Sequence, residues 1–162
     1  TFDSAANQVV PLTELATFQT PAISASGTTE LGAALSLLAD RIEAEVAKTT
    51  AAAKGDWKPL VFIMTDGAPT DDWKRGLGRL RKVRTGIVIA CAAGPGADTT
   101  VLKQVTEVVV QLDTADQNTI KAFFKWVSAS VSTGSHKVDQ GQKEVSGLGD
   151  LPPPPPEVNV VL

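Results

Sequence analysis

Two loops carry the side chains whose types and spacing could do chemistry: Ser26-Gly27-Thr28-Thr29-Glu30-Leu31-Gly32 and Thr65-Asp66-Gly67-Ala68-Pro69-Thr70-Asp71. Hydroxyls and carboxylates are hard oxygen donors. A cation such as Mg²⁺ takes about six of them in near-octahedral geometry and keeps several as water. The hydroxyl of Thr29 and the carboxylate of Asp66 suit that role on loops that converge at one end of a sheet. Each also has an ordinary structural use. Thr29 could cap a helix, and Asp66 could end a strand and turn the chain before Gly67.

The elements that must position these loops alternate. Val9-Val10 reads as a short strand ended by Pro11, and a second extended piece covers 17–24. Leu31, Leu35, Leu38, Ile42 and Val46 then recur at steps of three and four, the stripe of an amphipathic helix that fades near 49–55. Leu60-Val61-Phe62-Ile63-Met64 is a continuous apolar run, as in a strand covered on both faces. A helix is predicted from Asp72 to Val83, a strand over 85–92, a short helix over 99–106 and a strand at Val108-Val109-Val110. A last helix opens at Thr114, with Gln117 completing a capping box. This alternation predicts an α/β fold: a Rossmann-like, mostly parallel sheet with helices on both faces. Ligands of such sheets sit outside the carboxyl ends of the strands.

With Phe2-Asp3-Ser4, Val9-Val10-Pro11-Leu12 and the Pro-rich ending, these segments resemble the von Willebrand factor A (VWA) domain over about residues 1–133. The wording is most similar to the VWA proteins associated with bacterial tellurium resistance. The resemblance implies a metal-ion-dependent adhesion site, with Thr29 as its threonine and Asp66 as its aspartate. It implies Mg²⁺ (or Mn²⁺ or Ca²⁺) as the ion, and a protein partner whose carboxylate fills the open coordination position. It further implies a protein–protein interaction module in a stress response rather than an enzyme, with no small-molecule substrate.

The family's Asp-x-Ser-x-Ser loop occurs nowhere in the chain; Asp3-Ser4-Ala5-Ala6-Asn7 has Ala and Asn at the serine positions and falls at the wrong place in the fold. On this resemblance, the chain would open beyond the family's first strand. Weak metal binding by this chain alone is therefore expected, as is destabilisation unless another segment completes it.

Composition narrows the alternatives. The 162 residues suit one α/β domain, and 43% apolar content suffices for a core. The net charge of −3 gives no reason to expect nucleic acid or an acidic membrane as partner. No apolar run is long enough to span a bilayer. One cysteine, Cys91, excludes an internal disulfide and a cysteine zinc cluster, and points to a reducing, cytoplasmic setting. Gly94-x-Gly96 after a strand suggests an alternative, a nucleotide-binding α/β enzyme, but the third glycine position holds Thr99. Lys74, Arg75, Arg79, Arg81, Lys82 and Arg84 follow Asp71 and Asp72, an order that complements a helix dipole and suggests a solvated face or a docking face for an acidic protein. His136 lacks any cluster with which to bind metal. From 134 the composition turns to Gly, Ser, Gln and Lys, then Pro152–Pro156, which reads as a flexible tail over 134–162 with one short strand possible at 157–162.

Overall fold

Val61–Thr65 forms β1, and its apolar run meets a second one, β2 (Val88–Ala93), in parallel register with Phe62 beside Ile89 and Met64 beside Cys91. The computed structural model describes residues 1–24, 26–139 and 147–161, with side chains up to 136 and from 147. The chain divides into two compact units, one of Thr1–Pro59 with Pro69–Arg84, the other of Leu60–Ala68 with Thr85–Leu162.

The second unit is the sheet. β2 leads through α3 (Thr99–Val105) to β3 (Val108–Leu112), which pairs parallel with β2, Cys91 beside Val110. β4 (Val158–Val160) adds antiparallel to β3, Leu112 beside Val158, so the order is β1-β2-β3-β4. The fold is thus α/β with a mostly parallel open sheet. Side chains alternate across each strand. Ile89, Cys91, Val110 and Leu112 face Phe123 and Trp126 of α4 (Gln117–Asp139), while Ala90, Ala92 and Val109 are buried on the opposite face. Phe123 is almost wholly buried, a burial worth about 2–3 kcal/mol.

Two sequence expectations change here. Helix α4 begins at Gln117, not Thr114, because the Asp116 carboxylate accepts the N–H groups of Asn118 and Thr119 at 2.8 and 3.0 Å. It also runs to Asp139, past the onset of the expected flexible stretch; the part of that stretch from 140 to 146 lies outside the described residues. The Pro-rich ending is built into the unit. Trp126 donates its indole N–H to the Pro152 carbonyl at 2.8 Å, Leu151 is buried, and Val161 N–H bonds to Val109 O at 2.9 Å.

The first unit is a helix pair with an irregular leading segment. In α1 (Leu31–Glu45) the buried residues are Leu31, Leu35 and Ala39, spaced four apart, and Gly32 beside them, while Leu38 is only half-buried. In α2 (Trp73–Leu80) they are Gly76, Leu77 and Leu80. The helices cross closely at two glycines: a Cβ on Gly76 would strike the Gly32 carbonyl oxygen, and one on Gly32 would lie 2.6 Å from the Asp72 carbonyl oxygen. Arg79 reaches from α2 to Asp40, at 2.9 Å, and to Glu43, whose carboxyl it holds below the usual range.

The strands expected at Val9-Val10 and over 17–24 do not form. Instead Leu15–Thr17 is a 3-10 turn, and Phe2 and Ala6 make one antiparallel bridge. A strand needs a neighbour for its backbone groups and a surface for its side chains. Here Leu12 and Leu15 stand 66% and 89% exposed, and the segment is tethered by Glu45, which accepts Leu12 N–H at 2.6 Å and Gln8 Nε2–H at 2.7 Å. Among the described residues no helix is long and apolar enough to cross a membrane.

Candidate functional site

In the sheet unit, the expected metal aspartate stands at the carboxyl end of β1. Buried Thr65 closes the strand, its hydroxyl donating to the Gly67 carbonyl and accepting Gly67 N–H, both at 3.4 Å. This tight turn leaves Asp66 exposed at the strand end, the edge where parallel sheets present ligand-binding groups. Gly94, at φ +90°, turns the chain after β2. Gly96 then lets that loop approach the Asp66 backbone, since a Cβ there would lie 2.6 Å from the Asp66 carbonyl oxygen. Both glycines of Gly94-x-Gly96 are therefore accounted for by the fold.

The loop's use as a phosphate cradle fares poorly. The Asp98 carboxylate accepts the N–H groups of Thr100 and Val101 at 2.9 and 3.2 Å. A pyrophosphate would need those amides, and it would meet a negative charge instead.

In the helix unit, Thr29 lies just before α1, yet it does not cap it. The Asp71 carboxylate does so, accepting Gly32 N–H at 2.9 Å and Ala33 N–H at 2.8 Å. Thr29 is instead held by its backbone: its N–H donates to Thr70 Oγ1 at 3.2 Å, and its carbonyl accepts Thr70 N–H at 2.9 Å. The ordinary use foreseen for Thr29 is thus filled by another residue.

Asp3 and Ser4, set aside as lying in the wrong place, join the same loop. The Asp3 carbonyl accepts Glu30 N–H at 2.9 Å, and its carboxylate accepts the Ser26 hydroxyl at 3.1 Å. Ser4 Oγ accepts Thr28 N–H at 3.1 Å and lies 3.2 Å from Thr28 Oγ1. Sequence reasoning missed this cluster and the role of Asp71. The only available signal was the repeated Asp71-Asp72, whose two carboxylates serve different helices: Asp72 accepts Arg75 N–H of α2 at 3.3 Å.

Thr29 belongs to the helix unit and Asp66 to the sheet unit. Both are oxygen donors of the kind Mg²⁺ accepts. Among the described residues no three of His, Cys, Asp and Glu gather as metal donors.

No family model, curated protein or solved structure matches this chain.

The remaining reactive groups are quiet. Cys91 is buried in β2, and burial pushes its thiol up to about 12, which removes the thiolate needed for nucleophilic work. His136 is exposed on α4. A groove of about 340 Å³ beside β4 is lined by Lys103, Thr106, Glu107, Val108, Leu148 and Val160 among others.

Proposed function

We propose that this chain is a protein-binding module of the von Willebrand factor A type. Thr29 and Asp66 contribute oxygen ligands to a divalent cation, Mg²⁺ or a near equivalent, and a carboxylate from the partner completes the coordination. The module performs no reaction of its own; the tellurium-resistance resemblance suggests a stress-response setting. The observation that carries this reading is the exposed Asp66 at the carboxyl end of β1, a half-buried strand paired in parallel with β2. The capping of α1 by Asp71 supports it, because the helix takes a bond from the Thr29 carbonyl, through Leu31 N–H, and none from its side chain.

Paramagnetic broadening tests the reading. Mn²⁺ added to ¹⁵N-labelled protein should erase the amide signals of residues 26–32 and 65–68 before any others, and Mg²⁺ should restore them by competition. Broadening confined to other acidic positions, such as Asp113 and Asp116, would refute it.

A further inference from the structure

Six of the fifteen lysines and arginines fall between positions 74 and 84, and no carboxylate lies between Asp72 and Asp98. Folding accounts for Arg79, which binds Asp40 and Glu43 on α1. Lys74 has the neighbouring Trp73 ring 5.7 Å from its ammonium, and Arg75 is not accounted for in this way. Contrary to the dipole-complementing order expected from the sequence, α2 starts at Trp73 and both are exposed in its first turn, where the helix dipole disfavours cations. Lys82 and Arg84 are exposed as well. Arg81 keeps a helical backbone and Lys82 N–H bonds back to the Arg79 carbonyl, so the face continues past the end of the helix.

At the middle of this face is Gly78. It is four residues from Lys74, three from Arg75 and four from Lys82, the spacings of neighbours on a helix surface. Glycine weakens a helix interior relative to alanine. At Gly76 the fold requires it; at Gly78 an added Cβ would meet nothing within 4 Å. The helix thus carries a destabilising residue for which the chain's own packing gives no reason, beside two cations that stand against its dipole.

We propose that the exposed face of α2 centred on Gly78 docks an acidic peptide segment of a partner protein, its backbone crossing the bare glycine and its carboxylates reaching Lys74, Arg75 and Lys82. A peptide suits the face better than nucleic acid. The bare Gly78 lets a peptide backbone approach the helix closely, and carboxylates along that backbone complement the charges of Lys74, Arg75 and Lys82. This proposal is independent of the cation reading.

Fluorescence anisotropy with a short glutamate-rich peptide tests it, using the full chain. The wild type should bind saturably and more weakly as salt rises. The triple reversal K74E/R75E/K82E should bind about tenfold more weakly or worse. Gly78→Gln should melt at a higher temperature, because glutamine is the better helix former, yet bind the peptide several-fold more weakly. Absence of saturable binding, equal binding by the triple variant, or unchanged affinity in Gly78→Gln would each overturn the proposal. So would tighter binding of a DNA duplex of matched charge. Should the triple variant fail to fold, the Gly78→Gln comparison decides alone.

Discussion

The carboxylate of Asp71 accepts the backbone N–H of Gly32 at 2.9 Å and ties the loop before α2 to the first turn of α1. A carboxylate on otherwise unsatisfied amides at the positive end of a helix is a strong cap. Asp71→Ala should therefore destabilise the protein by about 1 kcal/mol, within the range of about 0.5–2 kcal/mol typical of lost caps. Thr29→Ala should change stability by less than about 0.5 kcal/mol, as for substitutions that disturb no such feature. Urea denaturation of the two variants measures the difference; equal losses would return the capping role to Thr29.

The bond between Trp126 and Pro152 is what fastens the Pro-rich ending to α4. Trp126→Phe keeps an aromatic ring and removes the donor, at an expected loss of about 1 kcal/mol. Hydrogen exchange should locate the effect. The amides of Val158 and Val161, bonded to Pro155 O and Val109 O, should exchange faster, while those of α1 remain as they were.

Acid should loosen α4 at its start. The Thr114 hydroxyl, then the Thr119 amide and the other groups that bond the carboxylate, hold the Asp116 carboxyl down at about 2. A lowered folded-state value means that the unfolded chain takes up the proton first. The stabilisation is therefore complete above the ordinary aspartate value and is lost as pH falls from about 4 towards about 2. Asp116→Asn retains capping ability without a titrating group. Its urea midpoint should fall less steeply over that window than the wild type's, and identical slopes would count against the assignment.

The sheet was legible because its strands are apolar runs of strand length: the residues of β1 and β3 stand out at Leu60–Met64 and Val108–Val110. The buried side of α1 was legible in Leu31 and Leu35. It was misjudged at Ala39, because a small residue gives a weak hydrophobic signal even where helix packing selects it. Val9-Val10 has the composition of a strand and no partner strand, and pairing cannot be read from composition. Asp71 and Asp72 are chemically alike and adjacent. Only the crossing of α1 and α2 through Gly32 and Gly76 decides that each caps a different helix. The bond from Trp126 to Pro152 was not foreseen, although a buried indole N–H needs an acceptor and the prolines downstream supply carbonyls. Of the candidate site, the positions of Thr29 and Asp66 on loops were legible, whereas the contacts of Asp3 and Ser4 with the Thr28 loop arise from tertiary structure alone.

The central claim is that Thr29 and Asp66 help to hold a divalent cation. The most direct measurement is calorimetric titration of Mn²⁺ into the wild type, Asp66→Asn and Thr29→Ala, with circular dichroism to verify folding. The account predicts weak, saturable binding by the wild type, competed by Mg²⁺. Each variant should lose about tenfold in affinity or more, equivalent to about 1.4 kcal/mol or more. Mn²⁺ binding of equal strength in all three proteins would contradict it.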